Sequence, residues 1–182
     1  EEALSVEIGS KYISPKFTGS FAFFYRDASS LIDYIKENET DRFMATNLRD
    51  LYTKGFEINT SYNFKVNNLN QNLSLGYTYI EDEVGDLNIN FSRYSINSLK
   101  HHVTSRLSTQ LVKNINFNVI YKHAERTSGM SYNVWDASMV IAVKQFEFIL
   151  TAANMFNEDY IETGFVPMPP SNVLFGMQYR FN

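Results

Sequence analysis

The stretch Val173-Leu174-Phe175-Gly176-Met177-Gln178-Tyr179-Arg180-Phe181 decides the fold of this chain. Side chains alternate between the two faces of a β-strand, so Val, Phe, Met, Tyr and Phe share one face. Leu, Gly, Gln and Arg share the other. A strand that is apolar on one face, polar on the other and ends in aromatic residues is typical of the last strand of an outer-membrane β-barrel. The preceding segments are then expected to repeat the pattern at membrane-spanning length.

Eight earlier segments repeat this alternation. The clearest is residues 56–66, where every second side chain from Phe56 to Val66 is apolar or Thr, and the intervening residues are polar. The other seven lie at 4–12, 17–25, 73–79, 99–111, 115–121, 135–143 and 146–152. Several of these segments have about ten residues, which is the length of a tilted strand that crosses a bilayer. The sequence therefore predicts an all-β fold, an antiparallel up-and-down transmembrane β-barrel of which about nine strands are present.

The connections between these segments alternate between short and long. Short ones fall at 14–15, 67–70, 113–114 and 144–145, and long ones at 27–50, 81–97, 124–131 and 157–172. In outer-membrane barrels the short turns face the periplasm and the long loops face the outside. The first strand then starts outside and the last one ends in the periplasm. Complete single-chain barrels have an even strand number, so we expect residues 1–182 to be the C-terminal portion of a larger barrel.

Composition narrows the classes of function. The chain of 182 residues has a formal net charge of -4 and no basic stripe, which argues against a nucleic-acid partner. It has no cysteine, which excludes thiol catalysis and thiolate metal sites. The sequence lacks a Gly-x-Ser-x-Gly nucleophile elbow or another visible catalytic constellation, so we expect neither an enzyme nor a bound cofactor. Aromatic residues make up 15% of the chain, as suits rings that anchor at membrane interfaces.

Three motifs near the end of the chain resemble a known family. Ala153-Asn154-Met155-Phe156-Asn157-Glu158-Asp159-Tyr160 is followed by Val166-Pro167-Met168-Pro169-Pro170 and then by Gly176-Met177-Gln178-Tyr179-Arg180-Phe181. This order is similar to the C-terminal end of TonB-dependent outer-membrane receptors. An Asn-x-Phe-Asn/Asp-x-x-Tyr motif, a loop with Pro and a Gly-x-x-Tyr-x-Phe strand close the barrel there. Ser5-Val6-Glu7-Ile8-Gly9 and Gly55-Phe56-Glu57 look like strand starts of the same family.

The resemblance implies a 22-stranded barrel in the bacterial outer membrane, filled by an N-terminal plug domain. Such a receptor is energised by the TonB complex and imports a scarce nutrient such as siderophore-bound iron, haem or cobalamin. The plug and the TonB box are not in this sequence. The resemblance also implies that Tyr179 and Phe181 form the barrel-assembly signal, although Asn182 follows here where the family usually ends on the aromatic residue.

Candidate site residues are few. Arg93, Tyr94 and Arg126 lie in or beside predicted external loops, where guanidinium groups suit an anionic extracellular small-molecule cargo. Arg and Tyr are equally common in the loops of any barrel. Trp135, Tyr77, Tyr79 and Tyr121, together with Tyr62 and Tyr132, are expected at the interfaces with the outer-membrane lipid. Lys65, Lys100, Arg106 and Lys122 are expected to line the lumen and contact the plug.

No metal site is predicted. His101 and His102 are adjacent on a strand and so point to opposite faces, and His123 lies at a strand end. The acidic stretch from Glu81 to Asp86 lacks the spacing of a calcium loop and is interpreted as a solvated loop tip.

Two other architectures are compatible with alternating strands. A small complete barrel of eight or ten strands, acting as an anchor or adhesin, would close on itself when isolated. A soluble lipocalin-type barrel would turn its apolar face inward and have short hairpins at both ends. The long connections at one end favour the receptor interpretation over the lipocalin.

Overall fold

Ten β-strands make up most of the described chain in this computed structural model. The structure describes residues 2–84, 91–92, 98–162 and 166–181. The strands are β1 Glu2–Ile13, β2 Phe17–Lys36, β3 Met44–Val66, β4 Leu69–Val84, β5 Phe91–Ser92, β6 Leu99–Val112, β7 Ile115–Arg126, β8 Ser131–Val143, β9 Phe146–Ala153 and β10 Asn172–Tyr179. Among these residues, no helix is long and apolar enough to span a membrane.

The strands form one antiparallel sheet in which nearly every strand pairs with its neighbour in sequence. The order is β1-β2-β3-β4-β6-β7-β8-β9-β10, and the short β5 pairs with the far end of β2. This order confirms the predicted meander of nine long strands, while β5 was not predicted. In the described part of the chain β1 pairs only with β2 and β10 only with β9, so the sheet is open at both edges.

The pairing register keeps the apolar side chains together on one face across the whole sheet. One row runs through Phe17, Tyr62, Leu73, Leu107, Val119, Ala137, Ala152 and Val173, each directly opposite the next. The neighbouring row on the other face runs through Thr18, Ser61, Ser74, Arg106, Ile120 and Asp136. A one-residue slip of any strand would exchange the two faces, so these rows specify the register strongly.

Buried side chains are scarce in this sheet. Of the described apolar residues, Ala28, Ala124, Tyr132 and Val134 are buried, and the last three form a cluster on the polar face. The apolar face instead presents large side chains outward, among them Ile8 at 73% and Phe175 at 71% exposure. An apolar surface of this extent requires an apolar environment, because soluble monomers rarely expose such patches. Lipid supplies that environment for the wall of a transmembrane barrel.

Two of the predicted loops were too long. Strand β2 continues to Lys36 and β3 begins at Met44, so most of residues 27–50 is a paired hairpin closed by residues 37–43. Likewise β7 reaches Arg126 and β8 starts at Ser131, which leaves 127–130 as the connection. The alternation disappears in these extensions although the hydrogen-bond ladder continues. Hydrophobic periodicity reports a difference between the environments of the two faces, and that difference ends where both faces meet water.

The short turns at the other end are confirmed. Asn67 and Asn68 have φ angles of 50° and 65° and join β3 to β4 directly. A two-residue hairpin turn needs positive φ at both positions, and Asn tolerates this conformation better than most residues. Turns also join β1 to β2, β6 to β7 and β8 to β9 within two or three residues. All four lie at the same end of the sheet, here called the turn end.

Candidate functional site

A network of polar side chains covers the face opposite the apolar one. Asn72 Nδ2 donates to Ser61 Oγ and to Asn63 Oδ1, both at 2.8 Å. Ser74 Oγ donates to Asn72 Oδ1 at 2.9 Å and lies 3.1 Å from Ser61 Oγ. These hydrogen bonds tie β3 to β4 through side chains as well as through the backbone. Four polar side chains are thus linked into one network on this face.

This polar face forms one side of an open cavity of about 510 Å³. Lys11, Ser20, Asn59, Thr104 and Arg106 are among its lining residues, so it contains two cationic groups and several hydroxyl and amide groups. The cavity shows that the sheet curves toward its polar side, and we call this side the concave face and the apolar side the convex face. Arg106 therefore lies where the sequence predicted it.

Gly76 keeps this concave face open. A Cβ atom built on Gly76 would lie 2.6 Å from Thr104 Oγ1 and 2.9 Å from Asn59 Oδ1. Both distances are shorter than a van der Waals contact, so any larger residue would displace the neighbouring polar groups. Glycine is used here for close approach of neighbouring strands.

A segment that follows β9 folds back over the concave face. We call residues 154–162 the strap. Asn154 begins it with a φ of 50° and is 3% exposed. Its N–H donates to Asp136 Oδ1 at 2.8 Å, and its side-chain amide donates to the carbonyl oxygens of Glu158 at 2.9 Å and Pro169 at 3.3 Å. Asn154 Oδ1 in turn accepts from the N–H of Glu158 at 2.8 Å. One side chain thus fixes the direction in which the strap leaves β9.

The middle of the strap packs on the buried cluster of the concave face. The rings of Tyr160 and Tyr132 lie 4.7 Å apart, and Leu99 and Tyr160 both contact the cluster of Ala124, Tyr132 and Val134. Burial raises the pKa of Tyr160, and the nearby Lys122 opposes this effect. The phenol of Tyr160 therefore stays neutral at physiological pH.

Glu162 closes the strap against two cationic residues of β7. Lys122 Nζ donates to the Glu162 carboxylate, and Tyr132 Oη donates to the same oxygen at 3.4 Å. The guanidinium of Arg126 donates to the Glu162 carbonyl oxygen. Lys122 Nζ also lies 5.4 Å from the ring centre of Tyr160, within the range of a cation–π contact. These contacts hold a loop in place, and none of them pairs a nucleophile with a base.

Of the three predicted cargo residues, Arg126 is among the residues that the structure describes. Arg126 lies at the end of β7 that is far from the turns, on the concave side, in contact with the strap. Arg93 and Tyr94 lie outside the described residues.

The predicted interfacial aromatics lie on the convex face, with one exception. Tyr121 and Trp135 are in contact at 4.7 Å between ring centres, and Tyr77 Oη lies 2.9 Å from His101 Nδ1. Tyr79 lies beside the same histidine at 5.2 Å. The prediction for Tyr132 was wrong. It is three positions from Trp135 on one strand, so alternation places it on the concave face, under the strap.

The histidines and lysines follow the alternation rule. His101 packs with the convex-face tyrosines, whereas His102 pairs opposite Thr78 in a concave-face row. Lys65 and Lys122 fall in concave-face rows, and Lys100 occupies a bulge between Leu99 and His101. Within the described ranges, no three His, Asp or Glu side chains are grouped so as to hold a metal ion.

Sequence reasoning missed the strap and its contacts with β7. Asn154 and Tyr160 stand in the motif that suggested the family, but their role was not deduced from it. Glu162 lies in a connection without periodicity, where a single carboxylate looks like an ordinary surface residue. Only its approach to Lys122 across 40 positions of sequence identifies it.

A curved antiparallel sheet with an apolar convex face, a polar concave face and short turns at one end is part of the wall of a transmembrane β-barrel. The chain belongs to the TonB dependent receptor-like, beta-barrel family, whose model matches residues 1–159. The match extends over the first eight long strands, the last of which is β9, and it ends before the last strand that suggested the fold. The members of this family are outer-membrane receptors and transporters. No curated protein sequence matches the chain.

Solved structures of three transporters share this fold. The FrpB iron transporter from Neisseria meningitidis (F3-3 variant) superposes with a TM-score of 0.73 at 15% identity, over 98% of this chain and 31% of its own. The copper transporter OprC gives a TM-score of 0.70 at 15% identity, over 97% of this chain and 30% of its own. The ferric-catecholate import receptor Fiu from E. coli K12 gives a TM-score of 0.68 at 19% identity, over 98% of this chain and 27% of its own. The chain therefore spans about a third of the length of these relatives.

Proposed function

We propose that residues 1–182 are the C-terminal portion of the wall of a receptor in the bacterial outer membrane that imports a scarce nutrient with energy from the TonB complex. The observation that carries this proposal is the concave polar face, with its open cavity, in a chain that belongs to the receptor family. A wall with a polar concave face suits passage and capture rather than catalysis. The small-barrel alternative is not favoured, because β1 and β10 do not pair in the described sheet.

The concave face is the surface on which we place the plug domain. Its cationic groups Lys11 and Arg106 and its hydroxyl and amide groups suit a polar domain surface. The TonB complex would act through the part of the receptor that precedes this chain.

Photo-cross-linking in the full-length protein tests this placement. A benzophenone amino acid at Thr104, on the concave face, is expected to cross-link to the plug. The same amino acid at the adjacent convex position Val103 is expected to cross-link to lipid only. Cross-linking to the plug from Val103, or lipid labelling from Thr104, would contradict the assignment of faces.

The cargo is proposed to be an anionic metal chelate or a similar nutrient that meets Arg93, Tyr94 and Arg126 at the outer mouth. Support comes from the iron, copper and ferric-catecholate substrates named for the three similar structures. Arg126 is held on the concave side beside the strap, which is where a cargo leaving the loops for the lumen would pass.

Uptake measurements test the function itself. A strain that lacks the full-length protein is expected to lose uptake of one labelled nutrient among ferric siderophores, haem and cobalamin. Complementation is expected to restore uptake, and a protonophore is expected to abolish it again. Normal uptake of every candidate by the deletion strain, or uptake that persists without a proton gradient, would contradict the proposal.

A further inference from the structure

The charges of this chain are separated between the two ends of the strands. The turn end comprises residues 11–20, 63–72, 109–118, 141–149 and 177–182. These segments hold six basic residues and one acidic residue, Glu147. The other ten basic and nineteen acidic residues lie elsewhere in the chain. A chain with a net charge of -4 thus has one strongly positive end.

The positive charges are distributed along the whole turn end. Lys16 lies in the turn between β1 and β2, Lys113 between β6 and β7, and Lys144 between β8 and β9. Lys65 precedes the turn between β3 and β4, and Arg180 follows β10. All five residues are exposed, and in the described part of the chain the one ion pair among them joins Arg180 to Glu147 at 2.6 Å.

Aromatic rings on the convex face lie beside these cations. Tyr12 and Phe17 are 6.3 Å apart between ring centres, Tyr62 and Phe64 are 5.6 Å apart, and Phe146 and Tyr179 are 4.9 Å apart. Rings of this kind sit at the level of the lipid headgroups in membrane barrels. The turn cations next to them therefore lie within reach of the headgroup phosphates.

We propose that the turn cations Lys16, Lys113 and Lys144, here called the basic rim, bind the anionic phospholipid headgroups of the periplasmic leaflet. The proposal rests on the orientation in the proposed function, which puts the turns in the periplasm. A lipid surface fits better than a protein partner, because the cations are spaced along the rim, about one per turn, instead of being gathered in one patch. Each basic residue near an anionic surface strengthens binding by about fivefold at low ionic strength.

Lipid selectivity of the full-length protein tests this directly. The probes are spin-labelled phosphatidylglycerol and phosphatidylcholine in reconstituted vesicles. The wild type is expected to prefer phosphatidylglycerol, and the preference is expected to fall with added salt, as screened surface charges require. The variant K16Q/K113Q/K144Q is expected to lose most of that preference, given the contribution of each charge.

A matched control removes the same number of charges from the opposite end. The variant K36Q/R42Q/K54Q is expected to keep the wild-type preference, because these residues lie beyond the convex apolar band. Equal preference for the two lipids in the wild type, or equal losses in the two variants, would overturn the proposal. A wild type without lipid preference that instead retains an acidic periplasmic protein would overturn it in favour of that partner.

Cysteine labelling from outside the cell distinguishes a failure of the lipid-binding proposal from a failure of the proposed function. The chain has no cysteine of its own, so N114C in a turn and T40C in the opposite connection can be compared within it. A membrane-impermeant maleimide added to intact cells is expected to label T40C and not N114C. Labelling of N114C would overturn both the orientation and the leaflet assigned here. Correct labelling and normal uptake without lipid preference would overturn the basic rim alone.

Discussion

The convex and concave faces are built from alternate residues of the same strands, yet they are stabilised in different ways. The convex row through Leu73, Leu107 and Val119 has large apolar side chains that remain substantially exposed, with Leu107 at 39%. The concave row beside it, through Ser61 and Ser74, is held by side-chain hydrogen bonds. The first face depends on its surroundings for stability, and the second supplies its own partners.

This difference explains where the strap lies. The concave face offers donors and acceptors to the returning segment, among them Asp136, Lys122 and Tyr132. On the convex face a segment of this kind would exchange lipid for protein and would gain little, because lipid tails are as apolar as Leu. The two faces therefore predict mutational effects of different size at neighbouring positions.

A charge on the convex face is expected to have the largest effect. Leu107→Lys is expected to reduce the free energy of unfolding in lipid vesicles by about 2–4 kcal/mol, because the ammonium group would meet hydrocarbon. Ser108→Lys, the adjacent concave position, is expected to change it far less. Denaturant titration monitored by tryptophan fluorescence measures both variants. Similar losses for the two would remove the distinction between the faces.

Loss of the Asn154 side chain is expected to release the strap. Asn154→Ala removes three hydrogen bonds of a buried residue and is expected to cost about 1–3 kcal/mol for local opening. Hydrogen exchange of the strap amides measures this cost. The control is Asn157→Ala, a residue with a similar φ of 54° whose side chain accepts one hydrogen bond, from the N–H of Ser171. Exchange that is faster in the control than in the Asn154 variant would contradict the anchoring role.

Removal of the Glu162 charge is expected to have a smaller effect on the same segment. Both partners of the Glu162–Lys122 pair are partly exposed, with 33% and 27% of their side chains accessible, so solvent screens the interaction. A double-mutant cycle with Glu162→Gln and Lys122→Met is expected to give a coupling of about 1 kcal/mol. Additive effects on strap exchange would show that the ion pair does not contribute.

An ion pair at the far end of the convex face is expected to contribute least. Lys54 and Glu81 lie 3.3 Å apart with 56% and 49% of their side chains exposed, beyond the band of aromatic residues. Glu81→Gln is expected to change the free energy of unfolding by less than about 1 kcal/mol. A loss as large as that of Leu107→Lys would mean that this region is buried in the membrane.

The strands and their faces were predictable because lipid on one side and polar surroundings on the other impose a strict period of two. That period identified all nine long strands, and the short connection predicted at 67–70 contains the tight turn at Asn67 and Asn68. The same rule would have placed Tyr132 correctly had it been applied from Trp135.

The features that were not predictable depend on contacts between segments that are distant in sequence. The hairpin of β2 and β3 beyond Arg26 continues the backbone hydrogen-bond ladder, which by itself leaves no pattern in the sequence. The strap depends on Glu162 meeting Lys122 and on Asn154 meeting Asp136, and neither pair is close in sequence. The cargo residues Arg93 and Tyr94 stay a prediction.

The most direct test of this account is where the convex side chains reside. Spin labels at positions 75, 117 and 141 of the full-length protein in lipid vesicles are expected to be relaxed by oxygen and shielded from a water-soluble nickel chelate. Labels at the adjacent concave positions 74 and 118 are expected to show low access to oxygen. Ready access of the nickel chelate to positions 75, 117 and 141, or their immobilisation against protein, would contradict the lipid-facing orientation on which the account depends.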